Sequence, residues 1–194
     1  MTFYSFAKGL VKGVFKIFYK IEVEGIDNIP KEGRAILCAN HMSNLDPVIL
    51  GIVCPRPISF MAKKELFSNK LFAKLFSSLN AFPVDRQGSD ISAIRKSLEV
   101  LKEEKLLGIF PEGTRITNID ITSAKPGISM IGIKSKSPII PAFIDSKHKP
   151  FTKIKVNFGS PIYLDSYYDK KLRTDDYKDI SISILKSIYS LKKD

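Results

Sequence analysis

The chain has 194 residues and a mass of 21.8 kDa, which is enough for one domain with a buried core and at most a short appendage. Its 31 Lys and Arg residues exceed its 20 Asp and Glu residues, and the net charge of +11 favours an anionic partner. Nucleic acid, a phosphorylated small molecule and an anionic membrane all fit this charge, and the charge alone does not choose among them.

Residues 1–20 are predicted to form an amphipathic helix. Lys8, Lys12, Lys16 and Lys20 interrupt an aromatic-rich apolar segment, and lysines four residues apart form one basic stripe on a helix. This profile is typical of a helix that lies in a membrane interface. The alternative is a helix that packs on the domain and extends its lysines to solvent. The lysines also interrupt the apolar core that a secretory signal needs, and no apolar run approaches the roughly 20 residues of a transmembrane helix.

Residues 21–194 are predicted to form one domain in which strands and helices alternate. Strands are predicted at residues 21–25, 34–39, 57–61, 81–84, 106–110, 139–144 and 153–158. Helices are predicted at residues 47–53, 64–78, 89–104, 127–134 and 175–191, with Thr174 as the N-cap of the last one. This alternation predicts an α/β fold with a mostly parallel central sheet flanked by helices. Two cysteines, Cys38 and Cys54, lie in apolar segments without a metal-type spacing, which predicts buried, reduced thiols in an intracellular protein.

A polar turn joins the apolar strand at 34–39 to the helix that starts at Pro47, and this turn carries His41 and Asp46. A neutral imidazole can take a proton from an alcohol when its other ring nitrogen is held by an acceptor. A carboxylate five residues further on can reach that nitrogen, so we predict His41 as the base and Asp46 as the group that orients it. The alternative is a turn histidine followed by Asp46 as a helix N-cap. No other cluster of metal-binding residues accompanies the pair, so no metal site is expected.

A second polar turn follows the apolar strand at 106–110. Gly113 lets the chain turn sharply and expose its amides, and Arg115 supplies a planar group suited to a phosphate. Thr114 occupies the position at which a nucleotide-binding phosphate loop has lysine, and Glu112 would bring a negative charge to the triphosphate. Nucleotide hydrolysis is excluded on these grounds. The alternative is a surface turn in which Glu112 and Arg115 pair with each other.

Four blocks of sequence carry a resemblance to a known family. They are Asn40-His41 through Asp46-Pro47, residues 82–86, residues 110–115 and Ile140-Pro141-Ala142. In order and spacing they resemble the motifs of glycerolipid acyltransferases, and most closely those of bacterial 1-acylglycerol-3-phosphate acyltransferases, over about residues 21–165. The resemblance implies catalysis by His41 and Asp46. It implies acceptor binding, or support of the site, by Lys63, Arg86, Glu112, Gly113, Thr114, Arg115 and Lys125.

The same resemblance implies transfer of an acyl group from acyl-CoA or acyl carrier protein, as co-substrate, to the free hydroxyl of lysophosphatidic acid. The product would be phosphatidic acid, and no further cofactor is expected. No G-x-S-x-G turn supports a serine acyl-enzyme, so we expect direct attack of the hydroxyl within one ternary complex. No residues are identified as oxyanion donors. The expected location is the cytoplasmic face of the membrane, where the protein is peripheral or monotopic and meets an anionic surface.

Two alternatives to this function remain open from the sequence. The acceptor can be glycerol 3-phosphate or another lysolipid, because residues 116–121 are less polar than the Ser-rich loop that the family commonly has there. The second alternative is a non-catalytic basic module that binds membrane or nucleic acid. The basic stretch at 147–155 has few aromatic platforms for bases, so nucleic acid is not expected as a partner.

Overall fold

The computed structural model describes residues 3–84, 90–147 and 149–193, which form a seven-stranded sheet flanked by helices. The helices are α1 (Phe3–Phe18), α2 (Asp46–Val53), α3 (Lys70–Ser78), α4 (Asp90–Lys102), α5 (Gly127–Ser135) and α6 (Thr174–Tyr189). The strands are β1 (Tyr19–Glu24), β2 (Ala35–Ala39), β3 (Ile58–Lys63), β4 (Phe82–Val84), β5 (Leu106–Ile109), β6 (Ile139–Ser146) and β7 (Thr152–Phe158). Arg86 and His148 lie outside the described residues.

The strand order is β1-β7-β6-β2-β5-β3-β4, and β6 and β7 form the one antiparallel pair among the described strands. The predicted α/β fold with a mostly parallel sheet is therefore confirmed. In the centre of the sheet, Cys38 of β2 faces Ile109 of β5 and Pro141 of β6. Strands β2, β3, β5 and β6 consequently end at one edge of the sheet, which we name the carboxyl edge.

Both faces of the central strands are covered, because a parallel sheet needs helices on each side. On one face, Ile36 and Leu107 pack in a core with residues of α4, α5 and α6. On the other face, Leu37 and Leu106 pack with Leu50 of α2. All residues of β2 and β5 are buried, which explains why their sequences are continuous apolar runs rather than alternating ones.

Helix α1 packs against α2 with one face and exposes an apolar face on its other side. The half-buried Phe15 joins the core beneath α2, and the Lys8 ammonium donates a hydrogen bond to the Cys54 carbonyl. Lys8 is half-buried, and burial lowers its pKa, whereas Lys12, Lys16 and Lys20 of the predicted basic stripe are exposed. The exposed face comprises Phe3, Phe6, Leu10, Val14, Ile17 and Phe18. Among the helices of the described residues, none is long and apolar enough to cross a membrane.

The start of the last helix differs from the prediction. Thr174 is the first residue of α6, and the N-cap is Arg173, so the assignment of Thr174 as N-cap was wrong. The backbone amide of Arg173 donates a hydrogen bond of 2.7 Å to Asp176. A carboxylate in the first turn therefore satisfies the cap, as is common at helix N-termini.

Candidate active site

The two predicted turns meet at the carboxyl edge because β2 and β5 are parallel neighbours. The amide of Ile116 donates to the His41 carbonyl over 2.9 Å, which ties the second turn to the first. The second turn closes through a hydrogen bond of 3.0 Å from the Gly113 amide to the Phe110 carbonyl, with Gly113 at φ +72°. This left-handed conformation favours glycine, so the sharp turn predicted at Gly113 is present.

His41 and Asp46 are in contact, as their spacing predicted. The distance from His41 Nδ1 to Asp46 Oδ2 is 3.0 Å, and the same carboxylate oxygen accepts the amides of Met42 at 2.7 Å and Ser43 at 2.6 Å. Asp46 is 1% exposed and His41 is 9% exposed. We assign the imidazole proton to Nδ1 because the carboxylate can only accept there. Nε2 is then left with a lone pair that can take a proton.

Asp46 does not cap the following helix. It is the first residue of α2, Leu45 is the N-cap, and no side-chain bond is made from that cap. The carboxylate instead holds the amides of the turn that precedes the helix. The alternative of an ordinary N-cap is therefore wrong for Asp46, and the turn is built around its charge.

Two aromatic rings fix the plane of the imidazole from behind. Phe110 stacks on His41 with ring centroids 4.1 Å apart, and Phe60 of β3 stacks on Phe110 at 5.9 Å. Gly108 of β5 makes this possible, since a Cβ atom there would lie 2.3 Å from the Phe60 ring. This stack was not predicted from the sequence, although a glycine inside an apolar strand was a signal of close approach.

Asn40 anchors the turn that carries His41 to β6. Its side-chain oxygen accepts the Ile144 amide at 2.7 Å, and its side-chain nitrogen donates to the Ile144 carbonyl at 3.0 Å. Asn40 is 1% exposed, so both bonds lie in the interior, where unpaired polar groups are costly. Asn40 belongs to the first motif block, but the sequence did not assign it this structural role.

Glu112 lies inside the protein rather than on its surface. It is 2% exposed, its Oε1 accepts the Tyr189 hydroxyl of α6 at 2.9 Å, and its Oε2 has no hydrogen-bond partner in the described part of the chain. Burial raises the pKa of Glu112, which its own amide, the Tyr189 hydroxyl and the His41 amide partly oppose. Arg115 is exposed, so the alternative in which Glu112 and Arg115 form a surface pair is wrong.

The Tyr189→Phe substitution is expected to lower the free energy of unfolding by about 1–3 kcal/mol at pH values where Glu112 is ionised, because Glu112 loses its side-chain donor. The hydroxyl favours the ionised carboxylate, so its loss raises the pKa of Glu112 further above the ordinary value of 4.5. Because the pKa of Glu112 is higher in the folded protein than in the unfolded chain, Glu112 lowers the free energy of unfolding only when the pH rises above 4.5. Below that pH the carboxyl group is protonated in both states. The difference in the free energy of unfolding between the Tyr189→Phe variant and the parent should therefore shrink below pH 4.5. Urea unfolding at several pH values measures it, with Tyr163→Phe as the exposed control; a difference independent of pH would contradict the assignment.

An apolar cavity of about 170 Å³ opens beside His41, between the sheet and helices α4 and α5. Its walls include Met61, Val84, Ile94 and Ile128, and Lys125 lies near its polar end. The Lys125 side chain passes over Gly113, where an added Cβ atom would lie 3.3 Å from Lys125 Cγ. A cation and an imidazole at one end of an apolar cavity suit an amphipathic, anionic ligand.

The structure brings His41, Asp46, Glu112, Gly113 and Lys125 together. The other predicted residues lie farther from this group. Thr114 and Arg115 are exposed on the second turn. Lys63 is exposed at the end of β3 and does not line the cavity. Arg86 lies in 85–89, which the structure does not describe. Within the described ranges, no group of three His, Cys, Asp or Glu residues could hold a metal ion.

Comparisons with known proteins agree with the motif resemblance. A family model described as Acyltransferase matches residues 20–145. The chain is 34% identical over 166 residues to a 1-acyl-sn-glycerol-3-phosphate acyltransferase of Bacillus subtilis (strain 168), with 82% of each chain covered. It is 33% identical to the protein of that name from Streptococcus pneumoniae, over 82% of this chain and 62% of that one.

The fold also has a solved counterpart. The crystal structure of a 1-acyl-sn-glycerophosphate (LPA) acyltransferase from Thermotoga maritima matches with a TM-score of 0.67 and 24% identity, and covers 98% of this chain and 83% of that one. The likeness in structure concerns the fold, whereas the family model spans both turns of the site. The chain therefore belongs to the acyltransferase family.

Proposed function

We propose that this protein transfers an acyl group from a thioester to the free hydroxyl of 1-acyl-sn-glycerol-3-phosphate and so forms phosphatidic acid. The observation that carries the proposal is the His41 imidazole, oriented by a buried carboxylate at the mouth of an apolar cavity. Two relatives named for this reaction cover 82% of the chain each, and they support the acceptor.

In the proposed mechanism His41 acts as a general base. Nε2 takes the proton of the acceptor hydroxyl while Nδ1 stays bound to Asp46, whose charge stabilises the imidazolium that forms. The hydroxyl oxygen attacks the thioester carbonyl, the carbon–sulfur bond breaks, and the thiolate receives the proton from Nε2. Ser43 is not needed as a nucleophile, and its hydroxyl oxygen accepts the Leu45 amide at 3.2 Å in the turn.

The acceptor phosphate is proposed to bind at the second turn. Arg115 is exposed there, and Lys125 lies over Gly113 at the end of the cavity. Both cations can reach solvent, so an anion can approach them without crossing the apolar interior. Arg86 and Lys63 stay predictions from the resemblance. Glu112 is proposed to hold the second turn from inside, because its buried carboxylate faces Tyr189 and not the solvent.

Thiol release from acyl-CoA, followed with and without lysophosphatidic acid, tests the reaction. We expect release that depends on the acceptor and gives phosphatidic acid by lipid analysis. Repeating the assay with acyl carrier protein as donor and with glycerol 3-phosphate and other lysolipids as acceptors identifies both substrates. Faster acylation of another acceptor would change the substrate but keep the chemistry, whereas no acceptor-dependent release with either donor would contradict the proposal.

The Arg115→Ala substitution is expected to raise the KM of the phosphorylated acceptor roughly ten- to a hundredfold, since a lost charge-assisted hydrogen bond costs about 1.5–3 kcal/mol. The KM of the acyl donor should change little. Arg34→Ala is a matched control, because Arg34 precedes β2 at the opposite edge of the sheet and pairs with Glu104. Equal weakening of both substrates by Arg115→Ala would indicate a structural role instead.

The membrane contact is proposed to involve the exposed face of α1, at the cytoplasmic face of the cell membrane. Replacing Phe6, Leu10 and Ile17 together by Ser should lower binding to anionic vesicles by tenfold or more. The substitution removes the favourable free energy of transferring three exposed apolar side chains from water into the lipid. Activity on a water-dispersed short-chain acceptor should persist. Substitution is preferable to deletion of α1, because Phe15 packs into the core. Unchanged vesicle binding would mean that α1 is only a packing element.

A further inference from the structure

The crossover from β3 to β4 carries a helix that is apolar but unburied. Helix α3 has no buried residue, and its side chains Leu71 and Phe72 are 74% and 53% exposed. Leu66 and Leu75 are exposed as well, and we name these four residues the α3 patch. Large apolar side chains that are clustered on a surface mark an interaction site more often than isolated ones do.

The α3 patch lies at the carboxyl edge of the sheet, as does the turn that carries His41 and Asp46. Phe60 of β3 faces Gly108 of β5, and continuing that register brings Lys63, the last residue of β3, level with Pro111. The chain returns through β4, which pairs only with the last residues of β3. Helix α3 is therefore attached at the carboxyl edge, between two strands that both line the cavity beside His41.

The charge around the patch is strongly basic. Residues 63–80 contain four lysines and one acidic residue, Glu65. Within the part of the chain that the structure describes, none of these lysines forms an ion pair with a carboxylate. Lys70 and Lys74 lie one turn apart on one side of the helix, next to the apolar side chains of Leu71 and Leu75. An apolar helix face flanked by lysines is the pattern of a helix that lies in the plane of an anionic bilayer surface.

We propose that the α3 patch docks onto an anionic lipid bilayer and forms a second membrane contact, separate from α1. The inference rests on the proposed function, since it places the lipid surface from which the acceptor comes next to the cavity. Charge complementarity supports a bilayer as the occupant. Three of its four residues lie on one exposed helix, and insertion of such a helix into lipid needs no matching shape on a partner.

The test is a pair of substitutions in the full chain, Leu71→Ser together with Phe72→Ser. Neither residue lines the cavity, so turnover of a water-dispersed short-chain acceptor should stay within about twofold. The partition constant onto vesicles of phosphatidylglycerol and phosphatidylcholine should fall by roughly tenfold or more, because one of two linked contacts is lost. Acylation of an acceptor embedded in those vesicles should fall in parallel.

A matched control is Tyr163→Ser, which removes an exposed aromatic ring at the other edge of the sheet. Tyr163 is 63% exposed, and its neighbour Ile162 bridges to Ile139, the first residue of β6. This variant should bind vesicles like the parent. Unchanged partition of the folded Leu71→Ser, Phe72→Ser variant would overturn the proposal.

Charge reversal by Lys70→Glu and Lys74→Glu separates the bilayer from an acidic protein partner. If the patch binds a bilayer, the variant should lose binding to phosphatidylglycerol vesicles. Added salt should likewise weaken the binding of the parent protein to these vesicles. If vesicle binding persisted and only the rate with acyl carrier protein fell, the patch would be a protein-docking surface and the proposal would be wrong. Partition is measured without turnover, so it tests the patch even if no acceptor is acylated.

Discussion

Replacing His41 with Ala is expected to lower turnover by roughly 10²- to 10⁴-fold, the usual contribution of a general base. The variant should fold, because Asp46 still accepts the amides of Met42 and Ser43 and keeps the turn closed. The measurement is kcat at saturating donor and acceptor, with thermal unfolding recorded for the same preparation. A folded variant with the turnover of the parent would show that His41 is not the base.

A rescue experiment distinguishes loss of the base from a rearranged site. The His41→Ala variant retains Phe110 and Phe60, whose stacked rings form the back wall of the space that the imidazole leaves. Added imidazole can occupy that space and accept the hydroxyl proton. We expect partial recovery of turnover that saturates with imidazole concentration, whereas a disordered turn would give none.

The Asp46→Asn substitution is expected to lower turnover by roughly 10²- to 10³-fold, because the charge that stabilises the imidazolium is lost while the shape is kept. An amide oxygen can still accept from the turn, so the unfolding temperature should change little. Asp46→Ala is the structural control. It removes the acceptor shared by two amides and the imidazole, and should therefore also destabilise the fold. Equal turnover of the Asp46→Asn variant and the parent would contradict the orienting role.

The parts of the site that the sequence predicted depend on local geometry. His41 and Asp46 are five residues apart on one turn, and Gly113 sits where the chain must reverse after β5. A buried apolar run followed by polar residues and a helix start specifies such a turn without knowledge of the rest of the fold. The parallel arrangement of strands then brings the two turns to one edge, which the alternation of strands and helices also indicated.

The parts that were missed depend on contacts between distant segments. Tyr189 and Glu112 are 77 residues apart, and Asn40 and Ile144 are 104 residues apart. The alternative interpretation of the second turn paired Glu112 with Arg115, because the two residues are close in the chain. Burial decides otherwise, since a carboxylate beneath the sheet edge takes a donor from the helix packed there, and no local pattern identifies that helix.

The orientation of α1 shows a similar limit. Its apolar residues cover most of the circumference, so periodicity predicts a helix but not the side that meets the domain. Packing on α2 decides it, and the Cys54 carbonyl gives Lys8 a partner that its spacing with the other lysines did not indicate. The exposed side is consequently the one that carries Phe6, Leu10 and Ile17.

The pairing of β1 with β7 sets an order for assembly of the chain. Tyr19 faces Thr152 and Glu24 faces Asn157, so β1 has no partner strand until synthesis has passed residue 157. Closing so long a loop is slow compared with forming local structure. Helix α1 precedes every other described element and is synthesised before them, so it is available to a lipid surface while the sheet is still incomplete. With the membrane contact proposed for α1, the rest of the domain would finish folding next to the bilayer.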